Sequence, residues 1–238
     1  MSLYILEKMM KECLVIMVKE LSSHGLCVND SDAKTLFILE SPFDSELMEN
    51  CGCVGKTGKN MTKVLGLSSN DALGKMLNDG DLIAKKYAIF NTFKFPLDIA
   101  VAVKMIEAGK NFDLWDEFKI PWSILKKDEG KKIETLKKEI NAINGNISCK
   151  KYYSGYKRSL MSFLRKCPNL SNIVVCGKIA QAMFESILEG EQSFKELEFQ
   201  CGLIGNKEYN VMYTVHPSLW YSPKKGYGAM VKKALNRL

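Results

Sequence analysis

The stretch Asn172-Ile-Val-Val-Cys176-Gly177-Lys-Ile-Ala180 is the part of the sequence that decides the fold class. Its first five residues carry no charge and are typical of a short buried strand. The run is entered from a turn at 168–171 and left through Gly177, after which the pattern predicts a helix that ends near Gly190. A strand that leads directly into a helix is the repeating unit of an α/β fold.

Three further apolar runs predict strands at 35–39, 87–93 and 209–215. The first two runs are followed closely by a proline, which cannot continue a central strand. Strands that alternate with helical segments favour a parallel sheet with helices on both faces. We therefore predict an α/β fold, a three-layer α/β/α sandwich with a central, mainly parallel four-stranded sheet. The helices are predicted at 58–65, 71–77, 97–108, 151–165, 177–190 and 228–236.

Length and composition predict that residues 1–238 form a single domain. A chain of 238 residues with 46% hydrophobic residues is long enough to bury one substantial core. A charged fraction of 26% together with 10% aromatic residues excludes a disordered chain. We predict an N-terminal helix at about 3–21 and a charged helical insertion at about 111–146, in a protein that is a monomer.

Neither a membrane span nor a secretory signal is predicted. No apolar run approaches ~18 residues, and the longest early run, Leu14–Val18, is flanked by charged residues. We therefore expect a cytoplasmic protein whose 8 cysteines are mostly reduced thiols. The closest pair is Cys51-Gly-Cys53, no C-x2-C occurs and the chain has 2 histidines, so we expect no metal site, iron–sulfur cluster or other cofactor.

The positive charge is concentrated in two segments that contain no acidic residue, 140–184 and 209–238. Basic segments on an otherwise acidic chain indicate a surface that binds a polyanion such as DNA. The alternative is that these residues form ordinary solvated helix surfaces. In the first case they line one face and contact phosphates. The side chains expected there are Lys150, Lys151, Lys157, Arg158, Lys224 and Lys225.

Polar residues follow each predicted strand, where the ligand of a parallel sheet usually lies. The four strand ends carry Glu40-Ser41-Pro42, Asn91-Thr92, Gly177-Lys178 and His216-Pro217-Ser218. The amide of Asn91 offers a donor and an acceptor together, which suits recognition of the edge of a nucleobase. The alternative is an asparagine that ends its strand by binding its own backbone.

The segment His216-Pro-Ser-Leu219-Trp220 is the most distinctive element of the chain. A histidine at a strand end can be purely structural, which is the alternative here. Leu219, Trp220 and the aromatic residue after them precede lysines, and this combination suits a nucleic-acid wedge or stacking surface. The alternative for Trp220 is a core position, because tryptophan is well buried on average.

The stretch Asn50-Cys-Gly-Cys-Val-Gly55-Lys-Thr57 is close to a phosphate-binding P-loop but departs from it. Asn50 stands where the first glycine is required, and the preceding strand ends about ten residues too early. The sequence therefore does not indicate a nucleoside triphosphatase.

Taken together, these motifs resemble the uracil-DNA glycosylase superfamily, most closely its thermostable bacterial and archaeal branch. The branch has G-E-A-P-G-x-x-E, F-V-G-x-x-G, T-N-V-V-K, a strand leading into a G-K-x-A helix, and H-P-S. In the same order this chain has Leu39-Glu40-Ser41-Pro42-Phe43 with Glu46, Cys53-Val-Gly55-Lys-Thr-Gly58, Phe90-Asn91-Thr-Phe-Lys94, Val174-Val-Cys-Gly-Lys-Ile-Ala180 and His216-Pro217-Ser218. The matches extend over residues 35–220.

The resemblance implies a monofunctional DNA glycosylase that hydrolyses the bond between deoxyribose and uracil, or a related damaged base, after flipping it out of the stack. It assigns His216 as donor to the base carbonyl nearest the bond and Asn91 as the reader of the far edge. Ser41 or Glu40 would position the attacking water. Ser41 stands where the archetypal branch has a water-activating aspartate, and a serine cannot act as a base near neutral pH.

The resemblance also implies which residues contact substrate and DNA. Cys53 stands at the position of the phenylalanine that stacks on the flipped base, which leaves Phe43 to stack. Gly55 and Ser218 would bind phosphates through backbone or hydroxyl donors. Leu219 or Trp220 would fill the gap that the flipped base leaves. The cysteines that bind the iron–sulfur cluster of that branch have no counterpart here.

Two other functions stay open from the sequence. One is a nucleic-acid-binding member of the superfamily that is weakly active or inactive. The other is a small-molecule α/β enzyme that uses the same strand ends without nucleic acid.

Overall fold

The computed structural model describes residues 32–110, 135–136, 138, 147–188, 192, 194–221 and 226–237, with backbone alone at 99 and 147–152. The predicted N-terminal helix at 3–21 and nearly all of the predicted insertion at 111–146 lie outside these ranges. Within them, no helix combines the length and apolar content that crossing a bilayer requires.

A five-stranded sheet forms the centre of the described fold. Its strands are β1 (Thr35–Leu39), β2 (Tyr87–Asn91), β3 (Asn172–Cys176), β4 (Gln200–Ile204) and β5 (Lys207–Thr214). The spatial order is β2-β1-β3-β5-β4, and all neighbours are parallel except β4 and β5. β1, β2 and β3 are buried along their whole length, because helices cover both faces of a parallel sheet.

Helices connect the strands and cover the sheet. Their bounds are α1 (Asp44–Glu49), α2 (Lys56–Leu65), α3 (Leu73–Asn78), α4 (Ile99–Glu107), α5 (Ile147–Lys166), α6 (Lys178–Glu185) and α7 (Tyr227–Leu235), with a 3-10 turn at Pro217–Leu219. Sequence signals set several of these ends. The Asp98 carboxylate accepts a hydrogen bond from the Ala100 N–H at the start of α4, and Gly66 ends α2 with a φ of 69°.

Two hydrophobic cores lie on opposite faces of the sheet. Side chains alternate along a strand, so Leu36 and Ile38 belong to one core while Phe37 and Leu39 belong to the other. The first core is covered by α4, α5 and α6, which we call the α5 layer. The second is covered by α2, α3 and α7, which we call the α2 layer. The predicted three-layer α/β/α sandwich is therefore confirmed.

The prediction of four strands is wrong by one, because β4 was not recognised. β4 forms an antiparallel hairpin with β5 through Gly205-Asn206 and lies at the edge of the sheet. Its pattern is half exposed and interrupted by Gly202, so it lacks the continuous apolar run of the central strands. The Gln192 side chain covers part of this edge, since it accepts from the Leu203 N–H at 2.9 Å and donates to the Leu203 carbonyl at 3.1 Å.

Candidate active site

The carboxyl ends of β1, β2, β3 and β5 meet at one edge of the sheet. Backbone bonds continue the pairing past the strand ends: Thr92 N–H donates to the Leu39 carbonyl at 2.8 Å and Phe93 N–H to that of Glu40 at 2.9 Å. Gly177 N–H donates to the Thr214 carbonyl at 2.8 Å. The polar residues predicted at four strand ends are thus brought to one rim on a rigid support.

Asn91 is the last residue of β2 and is fully buried. Within the described part of the chain, neither the oxygen nor the nitrogen of its amide has a hydrogen-bond partner. Strand alternation places its side chain on the same face as Ile89, towards the α2 layer. The alternative role, a strand end that binds its own backbone, is therefore not what the structure has. An unpaired buried amide costs about 1–3 kcal/mol.

His216 lies two residues beyond β5, at the start of the 3-10 turn. Its Nδ1 accepts from the Ser218 N–H at 3.3 Å and lies 2.9 Å from the Ser218 hydroxyl. An Nδ1 that accepts a backbone N–H carries no proton, so the neutral ring holds its proton on Nε2. With Nδ1 accepting from the Ser218 N–H, Nε2 is the ring nitrogen that can donate to a ligand.

The strand register gives the separation of Asn91 from Thr214, the last residue of β5, which precedes His216 by two positions. Phe90 pairs with Ile38, Ile38 with Val175, and Val175 with Tyr213, so Asn91 and Thr214 both lie one residue beyond the same row. Three strand intervals of ~4.8 Å place them ~14 Å apart.

Glu40 and Ser41 follow β1 and are both anchored. One carboxylate oxygen of Glu40 accepts from the Ile179 N–H at 3.2 Å, in the first turn of α6, where the helix dipole favours a negative charge. Gly177 lies beside this carboxylate with a φ of 93°, and a Cβ there would be 2.3 Å from the Glu40 oxygen. The Ser41 hydroxyl accepts from the Leu97 N–H at 3.3 Å.

Glu46 fixes the loop that precedes α2, a role that the sequence did not reveal. Its buried carboxylate accepts from the Phe43 N–H at 2.7 Å and from the Cys53 N–H. Burial raises the pKa of Glu46, and the two N–H donors offset part of that rise. Its spacing of three residues from Phe43 was the available signal, because it is that of a capping box at α1.

The prediction that Cys53 contacts substrate is wrong, because its side chain points into the α2-layer core. Cys53 is fully buried, and its Sγ lies 3.3 Å from the Met61 sulfur. Burial raises its pKa well above the usual value. The glycine at Gly58 also serves this packing, since a Cβ there would lie 1.7 Å from the Cys53 carbonyl oxygen.

Phe43 and Gly55 lie where a ligand can reach them. Phe43 is 55% exposed at the start of α1. Gly55 precedes α2 and is partly exposed, and a Cβ there would be 2.8 Å from the Ser45 hydroxyl. Ser218 is exposed, with its hydroxyl on the His216 ring.

The prediction that Trp220 contacts DNA is not supported, because the indole is 2% exposed. Its N–H donates to the Val215 carbonyl at 3.0 Å and to the Thr214 hydroxyl at 3.2 Å, and its ring packs edge-on against Phe37. The core alternative for Trp220 is therefore correct. Leu219 remains as the wedge candidate at 46% exposure.

The described parts of the two basic segments lie on opposite faces of the sheet, which contradicts the prediction of one common face for those parts. α5 carries Lys157 and Arg158 on its exposed side and packs into the α5-layer core, whereas α7 packs into the α2-layer core. The sheet therefore lies between α5, which precedes β3, and α7, which follows β5. Lys224 and Lys225, and the side chains of Lys150 and Lys151, lie outside the described residues.

Sequence reasoning missed three lysines of α2, Lys56, Lys59 and Lys63. Their spacing of three and four residues places them on one face of the helix, and all three are exposed. The signal was present in Lys56-Thr-Gly-Lys-Asn-Met-Thr-Lys63, which contains no acidic residue.

No three metal-ligating side chains come together anywhere in the described ranges. Compared with protein-family models and with curated proteins, the chain gives no significant match. The resemblance to the uracil-DNA glycosylase superfamily therefore rests on the motifs quoted above.

Proposed function

We propose that this chain is a DNA glycosylase that hydrolyses the N-glycosidic bond of uracil, or of a related damaged base, after the base has been flipped from the stack. It would act as a cytoplasmic monomer without a cofactor. The observation that carries the proposal is the amide of Asn91, which is fully buried at the end of β2 without a hydrogen-bond partner in the described chain. An unpaired buried amide destabilises the fold, and a protein retains one where a bound ligand supplies the missing hydrogen bonds.

The amide of Asn91 matches the edge of uracil. Its oxygen accepts from the ring N3–H, and its nitrogen donates to the neighbouring carbonyl oxygen. Cytosine presents an unprotonated ring nitrogen and an amino group in these places, so both contacts become mismatched. A site built to hydrogen-bond one edge rejects the wrong edge strongly, because its own polar groups are left unpaired.

His216 would stabilise the departing base. As the glycosidic bond breaks, the base gathers negative charge on its oxygens and the sugar becomes an oxocarbenium-like cation. A neutral Nε2–H directed at the carbonyl beside the bond would meet that charge as it forms. The Ser218 contacts at Nδ1 support this role, since they hold the proton on Nε2 before substrate arrives.

Water attack is assigned to the end of β1. The Glu40 carboxylate, anchored on the first turn of α6, would place negative charge near the developing sugar cation and orient the water. The Ser41 hydroxyl accepts from Leu97 and can still donate one hydrogen bond. Phe43 would stack on the base, Gly55 and Ser218 would contact phosphates, and Leu219 would enter the space that the base leaves.

Release of uracil from synthetic oligonucleotides tests the proposal. The chain is incubated with single- and double-stranded DNA containing one uracil, and abasic sites are revealed by alkaline cleavage. We expect cleavage at uracil and none where thymine or cytosine replaces it. His216→Ala should abolish most of the activity, while alanine at the chain's other histidine, His24, is the matched control. No uracil release on either substrate would refute the glycosylase assignment.

A second candidate is a protein of the same kind that binds DNA without cleaving it. The observation that favours it is the serine at position 41, whose hydroxyl is held by the Leu97 N–H and cannot act as a base near neutral pH. Specific binding of uracil-containing DNA without release of the base would identify this case.

A further inference from the structure

The exposed side of α2 is a basic surface. Lys56, Lys59 and Lys63 lie along it within one helical face, and the 10-residue helix contains no acidic side chain. At ~1.5 Å per residue, the first and third of these lysines are separated by ~10.5 Å along the helix axis. We call these three residues the α2 lysines.

No carboxylate among the described residues neutralises the α2 lysines. Exposed lysines elsewhere in the described chain make ion pairs, such as Lys104 with Asp44 at 2.8 Å and Lys195 with Glu198 at 3.6 Å. None of the three α2 lysines makes an ion pair with a described residue. A lysine in the first turn, as at position 56, is also unfavourable beside the positive end of the helix dipole. This arrangement favours an anionic partner over an internal structural role.

The lysines adjoin the loop of the candidate active site. The ammonium of Lys63 lies 5.1 Å from the centre of the Tyr221 ring, and Tyr221 is 59% exposed, two residues beyond Leu219. The Pro217–Leu219 turn packs against α2, and the Trp220 carbonyl accepts from the Gly228 N–H of α7 at 3.0 Å. The end of the basic surface at Lys63 therefore lies beside the segment that follows the His216 turn.

A further lysine extends the surface from α7. The ammonium of Lys232 reaches the end of α2, where a Cβ at Gly66 would lie 3.3 Å from it. The extended surface thus combines cations, an exposed aromatic ring and an exposed leucine. Cations position a nucleic-acid backbone, and an aromatic ring gives a base or sugar a surface for stacking.

We infer that the α2 lysines, with Tyr221 beside them, bind the phosphate backbone of duplex DNA next to the base held between Asn91 and His216. The inference rests on the proposed function for the position of the DNA relative to the flipped base. The experiment that tests it measures DNA binding and does not require cleavage. An axial span of ~10.5 Å covers about three nucleotides of one strand, at 3.4 Å per nucleotide. The lysines would hold one strand while the turn at Leu219 faces the opened step.

Salt dependence of binding to uracil-free duplex DNA tests the inference, because cleavage plays no part in it. Lys56→Gln/Lys59→Gln/Lys63→Gln is compared with the parent chain by fluorescence anisotropy over a range of salt concentrations. If three phosphate contacts are lost, the slope of log affinity against log salt falls by about 2.7, at about 0.9 per contact.

The matched variant is Lys157→Gln/Arg158→Gln/Arg165→Gln. It removes the same charge from exposed positions of a helix, but in the α5 layer. We expect its slope to stay within about 0.5 of the parent value, because these residues would face away from the DNA. Circular dichroism and thermal unfolding establish that both variants fold. Lys59→Gln alone, with an expected change of about 0.9, replaces the α2 triple variant if that does not fold.

The outcomes separate this inference from the glycosylase proposal. Equal slope changes in both triple variants, or a change only in the α5 variant, would overturn the inference. So would loss of binding to vesicles of anionic lipid in the α2 variant with DNA binding unchanged. If the salt dependence of DNA binding decreases only in the α2 variant, the α2 lysines are established as a DNA-binding surface. If the parent chain then releases no uracil, the glycosylase proposal alone fails.

Discussion

The two layers differ in how they treat buried polar groups. In the α5 layer, Thr92 lies within reach of the Tyr156 hydroxyl and offsets part of the rise that burial causes in the pKa of Tyr156. On the same side, the amide of Gln181 donates to the Thr214 carbonyl at 2.9 Å. In the α2 layer, by contrast, the amide of Asn91 has no partner within the described chain. The α5 layer also contains buried hydroxyl groups without a hydrogen-bond partner in the described chain, such as that of Tyr213. The α2 layer differs because its unpaired group is an amide, with both a donor and an acceptor, at the carboxyl end of a strand.

The layers also differ at the surface. α5 displays Lys157 and Arg158 on the opposite face of the sheet from α2, whereas Lys63 of α2 lies 5.1 Å from the Tyr221 ring, next to the His216 turn. Basic composition alone therefore does not identify a binding face. Proximity to the strand ends that carry Asn91 and His216 is the additional criterion, and Lys63 of α2 meets it through Tyr221.

The largest expected effect comes from His216→Ala. Loss of a preset donor to a developing negative charge typically lowers the chemical step by about 10²–10³-fold. Single-turnover cleavage of a uracil oligonucleotide measures that step. The α5-layer counterpart is Tyr156→Phe, which removes one buried hydroxyl and should leave cleavage within about twofold, because it does not reach the reacting atoms. A comparable loss in both variants would remove the functional distinction between the layers.

The sheet could be predicted from the sequence where its strands are buried on both sides. The bounds of β1 and β3 match the prediction residue for residue, because a fully covered parallel strand is a continuous apolar run. β4 could not be recognised this way, since it lies at an edge and is partly exposed. α1 was missed because six residues are too few to show a helical period.

The candidate site divides along a similar line. Asn91 and His216 were placed at the rim because strand ends follow directly from topology. The side chains of Cys53 and Trp220 point inward because of loop geometry. Cys53 has a φ of 61°, and a 3-10 turn precedes Trp220. Neither feature can be predicted from the neighbouring residues. The α2 lysines are recognisable from their spacing in the sequence, but the similarity of the same run to a P-loop obscures them.

Asn91→Leu should separate function from stability. Leucine has a similar size and removes two unpaired polar atoms, so the free energy of unfolding should rise by about 1 kcal/mol. Cleavage of uracil should fall by about tenfold or more, because the base edge loses its partner. Urea unfolding and single-turnover cleavage measure the two effects.

The counterpart for Asn91→Leu is Thr92→Val, the next residue, whose side chain faces the α5 layer. It should lower the free energy of unfolding by about 1 kcal/mol, since Tyr156 loses its polar neighbour, with cleavage retained. If Asn91→Leu were instead destabilising with activity intact, the unpaired amide would have no role in recognition.

Glu46→Gln should weaken the α2 layer by about 1–3 kcal/mol, because an amide nitrogen would replace one of the two acceptors for the Phe43 and Cys53 N–H groups. The effect should depend on pH. Since the pKa of Glu46 is raised in the fold, its contribution is complete below the ordinary value of 4.5 and is lost as pH rises through the folded value.

The stability gap between the parent chain and Glu46→Gln should therefore be widest near pH 4 and narrower at pH 7. Urea unfolding of both proteins at the two pH values measures it, and the other titrating groups cancel in the difference. A stability gap that widens with pH would show that the N–H donors, rather than burial, determine the direction of the pKa shift of Glu46.

Leu219→Ala should have the smallest effect, and one that depends on the substrate. An apolar side chain that enters the opened step repays part of the unstacking cost, which is a few kcal/mol. Its loss should slow cleavage of uracil in duplex DNA by up to about tenfold, equivalent to about 1.4 kcal/mol, with little change on single strands, where no stack has to open.

Leu203→Ala is the matched control, because Leu203 is 51% exposed against 46% for Leu219 but lies on the edge strand β4. Comparing duplex-to-single-strand rate ratios for the two variants removes any general effect on folding. A lower ratio for Leu219→Ala alone would place the opened step beside the α2 layer. Equal ratios would assign the opening of the stack to another residue and would leave the α2 lysines as a backbone-binding surface without a wedge.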